Sequence, residues 1–166
     1  MNLLSTEEDL REKNKELACL YTIYKTIFKS NSITIQTLDQ IIVSTKKAWS
    51  YSSECVVELE IKDCCLTTDK LTKNTVFLSN VIIVDKIKYG CIKVHYPSEK
   101  YTTKDFTGDE RKLLEIIAIE IGNYIEKCHI LGRNAALQQA LERMGRLSLL
   151  GEMSAGIAHE LNTPLG

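Results

Sequence analysis

The two prolines of this chain, Pro97 and Pro164, bracket a stretch in which nothing forbids one continuous helix. Proline removes a backbone donor and clashes with the preceding turn, so residues 98–163 are free to propagate helically. From Thr107 or Asp109 the apolar residues take up helical spacing. Leu113, Leu114, Ile117, Ile121, Tyr124, Cys128 and Leu131 form one stripe, and Leu137, Leu141, Met144 and then Leu147 or Ser148 form a second. The stripes are out of phase around 131–135, which predicts a stutter-like discontinuity in a single seam, with a bend near Gly132. An apolar seam over 113–157 needs burial that a lone helix cannot provide, so a homodimer through the long helices is expected.

Upstream, residues 5–29 read as a helix capped by Ser5 or Thr6, with Glu8 or Asp9 completing a capping box. Leu3, Leu10, Leu17 and Tyr24 recur every seven residues, and Leu20, Ile23 and Ile27 widen the stripe. Such a stripe suits either coiled-coil pairing or a helix lying on a domain. Residues 35–49 form a second helix, with Leu38, Ile41, Ile42, Thr45 and Trp49 on one side. Period-two alternation then marks strands at 55–61 and 91–97, and 75–84 is rich in β-branched residues. Residues 85–90 read as a turn ending at Gly90. Ile92, Val94 and Tyr96 face one way, while Lys93 and His95 face water. His95 is thus expected to be a surface histidine, like His129. The expected fold class is α+β, a small antiparallel sheet with one wet face, flanked by helices.

Apolar residues make up 44% of the 166, enough for a core. The net charge of −1 shows no basic excess and argues against a nucleic-acid partner. The longest apolar run, 113–125, is interrupted by Glu115 and Glu120 and falls short of the roughly 20 residues a span requires. The start is acidic and polar, unlike a secretory signal, so a cytoplasmic protein is expected. Cys19, Cys55, Cys64, Cys65, Cys91 and Cys128 include no CxxC pair and read as reduced thiols acting as small hydrophobes. A metal site built from His95, His129, His159 and cysteines is weak, because "HELN" lacks the second histidine of HExxH.

The segments "ELACLYTIYKTI", "AWSY", "GCIKVHYP" and "FTGDERKLLEIIAIEIGNYIEK" resemble the GAF domain, a small α+β sensor module, over about residues 15–130. The resemblance implies a helical lead-in at 1–17, a GAF-like sensor domain at 18–130, and at 131–166 a coiled-coil-type signalling helix with the first part of a phosphoacceptor helix. It also implies a small-molecule signal. The chain between the strands and the last helix is short, so a small or absent pocket is expected.

Residues 151–166, "GEMSAGIAHELNTPLG", resemble the H-box of sensor histidine kinases through His159, Glu160, Leu161, Asn162, Thr163 and Pro164. The resemblance makes His159 the phosphoacceptor, Glu160 its proton acceptor and Thr163 a residue of the phosphatase reaction. It implies a response-regulator receiver domain as partner. ATP and Mg²⁺ would belong to a catalytic domain beyond Gly166, and this chain alone is not expected to be catalytically active. The periodicity agrees with an exposed acceptor. Leu150, Met153, Ile157, Leu161 and Pro164 share a stripe, and His159 lies about 200° from Ile157 and from Leu161. The alternative is a stand-alone GAF-like ligand-binding or dimerisation module without kinase function.

Overall fold

The computed structural model describes the backbone of residues 3–162 and the side chains of residues 3–149. Its elements are helix α1 (Leu3–Lys29), helix α2 (Ile35–Ala48), strands β1 (Val56–Ile61), β2 (Cys64–Thr67), β3 (Thr75–Val84) and β4 (Ile87–Pro97), a 3₁₀ turn (Thr103–Asp105) and helix α3 (Gly108–Asn162). The strands form one antiparallel sheet in the order β2-β1-β4-β3. The fold is α+β, as the alternation of periods two and 3.6 requires. The chain divides into two compact units, Met1–Cys128 and His129–Gly166.

The core of the first unit is a single cluster. Val57, Leu59 and Ile61 of β1, Ile82 and Val84 of β3, and Ile92, Val94 and Tyr96 of β4 are buried on one sheet face. Ile23 of α1, Ile41 and Ile42 of α2, and Leu114, Ile117 and Ile121 of α3 join the same cluster. Each such aliphatic side chain contributes about 1.5–3 kcal/mol when fully buried. α2 starts at Thr34, whose hydroxyl accepts from the Thr37 amide at 3.1 Å, and it stops at Trp49, which caps it and is itself buried.

The helix ends and turns depart from the sequence pattern in four places. α1 begins at Leu3, so Ser5 and Thr6 lie inside it rather than capping it. α2 ends one residue before Trp49. A short strand, Cys64–Thr67, pairs with β1 through a turn in which Lys62 has φ 50°. The segment 85–90 is not all turn. Only Asp85 and Lys86 turn, with φ of 51° and 66°, and Gly90 sits inside β4. Left-handed conformations at two successive residues match the twist of a tight hairpin, and Glu126 of α3 holds this one by accepting from the Asp85 amide at 2.8 Å. Beside it the pairing jumps from Ile82–Gly90 to Ile83–Lys88, leaving Tyr89 as a bulge.

Among the described residues no helix is long and apolar enough to cross a membrane.

Candidate functional site

Helix α3 carries the predicted site and starts at a reciprocal cap. Thr107 Oγ1 accepts from the Glu110 amide at 3.1 Å, and Glu110 accepts from the Thr107 amide at 3.0 Å. Glu110 is buried, and its second oxygen accepts from the Ser50 amide at 3.4 Å, which ties the helix start to the end of α2. The two backbone donors compensate a carboxylate that would otherwise be costly to bury.

Up to Cys128 the stripe read from the sequence faces the core: Leu113, Leu114, Ile117, Ile121, Tyr124 and Cys128 are all buried. Leu131 is not part of it, being 40% exposed. The second stripe, Leu137, Leu141, Met144 and Leu147, is exposed. The first stripe therefore belongs to the core of the first unit, while the second, in the other unit, is exposed. Ile116 and Ile119 are exposed apolar residues in the first unit, and Ile116, Asn123, Ile130, Leu137 and Met144 are spaced seven apart. The heavier core pattern, sharing the same residues 113–128, concealed this signal. A Cβ at Gly132 would meet nothing within 4 Å, so that glycine answers no packing requirement in the first place.

α1 divides in the same way. Cys19 and Ile23 enter the core, while Leu3, Leu10, Leu17, Tyr21, Tyr24 and Phe28 are exposed. The seven-residue repeat Leu3–Leu10–Leu17–Tyr24 thus does not lie on the domain.

The backbone of His159 and Glu160 belongs to α3. Their side chains, and with them the outward projection of His159, lie outside the described residues, as does Thr163 altogether.

His95 does not face water. It is 7% exposed, and both ring nitrogens are engaged: Nδ1 with Thr75 Oγ1 at 2.9 Å and Nε2 with Glu58 Oε2 at 2.8 Å. Phe77 covers it, with ring centroids 5.3 Å apart. The alternation of β4 put His95 on the correct face. Neighbours across the strands then covered that face, which period two cannot reveal. His129 is half-buried on α3.

On the same sheet face Glu58, Glu60 and Cys65 bring potential ligand atoms within 4.8 Å of one another. Lys93 stands 3.8 Å from Glu58 and 3.3 Å from Glu60, so an ammonium already neutralises these carboxylates. The hydrogen bond from Cys91, followed by that from Lys93, holds the Glu60 carboxyl below its ordinary range. The six cysteines are free thiols. Burial pushes Cys19 and Cys55 up to about 12, so neither is a nucleophile near neutral pH.

The described clefts lie among the helices. One of about 360 Å³ is lined by Lys25, Thr26, Lys29, Ser30, Thr37 and Gln40, and one of about 300 Å³ by acidic side chains around Lys13. No family model, curated protein or solved structure matches the chain.

Proposed function

We propose that this chain is the sensory and dimerising region of a cytoplasmic two-component histidine kinase, with a GAF-like first unit and with His159 as phosphoacceptor. The run "AHELNTP" carries the reading, and its residues 158–162 belong to the long helix α3, which already exposes Ile116 and Ile119 in the first unit. A phosphoacceptor on a paired rod must be reached first by a kinase domain and then by a receiver. A long helix paired with its copy is a suitable support for both approaches.

In this reading the neutral imidazole of His159 attacks the γ-phosphorus of ATP. The N–P bond forms as the bond to the bridging β–γ oxygen breaks, and ADP leaves with its Mg²⁺. The other ring nitrogen gives its proton to Glu160. Thr163 would place the water that later dephosphorylates the receiver. ATP and Mg²⁺ come with a separate catalytic domain, and a small-molecule signal acts on the first unit.

The test supplies the intact gene product with γ-labelled ATP and Mg²⁺. Acid-labile, alkali-stable label is expected on the protein, abolished by His159→Gln and kept by His129→Gln. Label that persists in His159→Gln overturns the reading.

A further inference from the structure

We propose that the cleft between the end of α1 and the start of α2 binds a small ligand bearing a dianionic group of the phosphate type, and that the floor of this cleft passes the binding on to α3. The inference gives the small-molecule signal of the proposed function a chemical class and a place. It rests on that reading only for what the binding serves, because the binding itself is measured without nucleotide.

The cleft, of about 360 Å³, is walled by Lys25, Thr26 and Lys29 of α1, by Ser30 just after it, and by Thr37 and Gln40 of α2. Every wall residue is polar or cationic and none is a carboxylate. Asp39, the single acidic residue of α2, is not among them. The neighbouring cleft along the same helix pair adds Lys15 and Lys47, again with no carboxylate. The chain has 22 acidic residues against 21 basic ones, so this is local segregation rather than a general excess of positive charge. A concave surface lined by one sign of charge focuses the field on ligands of the other sign. Lys25 and Lys29 stand one helical turn apart, where like charges repel. Among the described residues neither pairs with a carboxylate that would relieve this.

The charge says what fits. A single carboxylate would leave one of the two ammoniums uncompensated. A phosphate group carries about −1.5 to −2 at neutral pH and three acceptor oxygens, and so meets both. Thr37 lies in the first turn of α2, so the positive end of that helix adds to the attraction, and Gln40 offers amide donors. The floor is a chain of hydroxyls. Thr34 Oγ1 donates to Thr37 Oγ1 at 2.9 Å, and Thr37 Oγ1 donates to Ser30 Oγ at 3.2 Å. Ser30 Oγ lies 2.8 Å from the hydroxyl of Tyr124, a buried residue of α3, and that hydroxyl donates to the Ser32 carbonyl at 2.7 Å. Lys127, just beyond, donates to the Ile27 carbonyl at 2.8 Å. The turn that carries Lys29 and Ser30 is thus bonded to α3 at two points. A ligand that draws this turn together acts directly on Tyr124 and Lys127.

Isothermal titration of the full chain with inorganic phosphate, pyrophosphate and citrate, at matched ionic strength, tests the proposal. Phosphate or pyrophosphate is expected to bind with Kd of about 1 mM or below. Lys25→Gln with Lys29→Gln should weaken this about tenfold or more. Lys70→Gln with Lys73→Gln, an equal loss of charge elsewhere, should not. All four lysines are exposed, so the ligand-free melting temperatures should match that of the wild type. Absence of binding, equal weakening by both pairs, or binding of citrate alone overturns the site. In hydrogen exchange, pyrophosphate should slow the amides around Tyr124 and Lys127 in the wild type and leave them unchanged in the Lys25→Gln, Lys29→Gln variant. Unchanged exchange in a wild type that binds overturns the link to α3. Neither measurement involves phosphate transfer to His159, so the phosphoacceptor reading can fail while the site stands.

Discussion

Gly122 of α3 sits so close to β3 that a Cβ on it would stand 2.4 Å from the Ile83 carbonyl oxygen. Glycine in a helix interior costs about 1 kcal/mol relative to alanine, so its presence here reflects packing rather than propensity. The helix reaches the sheet at backbone distance, and Glu126, one turn on, then reaches the Asp85 amide of the β3–β4 turn.

Gly122→Ala should destabilise the first unit by about 1–3 kcal/mol, because backbone rather than a flexible side chain must move. Gly132→Ala, where an added Cβ meets nothing, should instead raise helix content. Chemical denaturation and far-ultraviolet circular dichroism of both variants check the contrast. An unchanged midpoint for Gly122→Ala would refute the close approach.

Gly90→Ala should be at least as damaging. Its Cβ would fall 2.0 Å from the Glu60 carbonyl oxygen on β1, at the bulge where β4 shifts register. On its other side β4 pairs with β1 without a shift, setting Cys91, Lys93 and His95 opposite Glu60, Glu58 and Val56. Denaturation midpoints of the two glycine variants, compared directly, test the ranking.

His95→Ala should cost about 1–3 kcal/mol, since it leaves Glu58 and Thr75 without their shared buried partner. A double-mutant cycle of His95→Ala with Thr75→Val should show coupling of about 0.5–1.5 kcal/mol. Additive losses would mean that the 2.9 Å contact between them carries no energy.

Glu16 provides a pH test. Burial is the main cause raising its carboxyl, with Asp109 and Glu110 adding to it and Lys13 opposing. A raised carboxyl is one the fold prefers neutral. The stability it permits is present below the ordinary glutamate range, about 4.3, and is lost as pH climbs through the raised value. Glu16→Gln should therefore melt higher than wild type at pH 7, and the difference should vanish near pH 4. Thermal melts at the two values decide it, and a variant less stable at pH 7 refutes the sign.

Much of the fold was legible because it depends on period. The proline-free stretch after Pro97 predicted α3, helical spacing was read from Thr107 or Asp109, and alternation predicted the buried faces of β1 and β4. What escaped was set by neighbours distant in sequence. His95 was assigned to the correct face, but Thr75, Phe77 and Glu58, from two other strands, bury it. The seven-residue repeat of α1 was visible, while the side of the helix that the domain would claim was not. The motif at His159 belongs entirely to the sequence, since its side chains lie outside the described residues.

The sequence by itself determined the three helices, three of the four strands and where the H-box-like run stands, because backbone propensity and periodicity act over a few neighbouring residues. Only the tertiary structure decided which of two apolar stripes on α1 and on α3 is core and which meets solvent. Both stripes satisfy helical periodicity, and the choice falls to whichever one the sheet and α2 can bury.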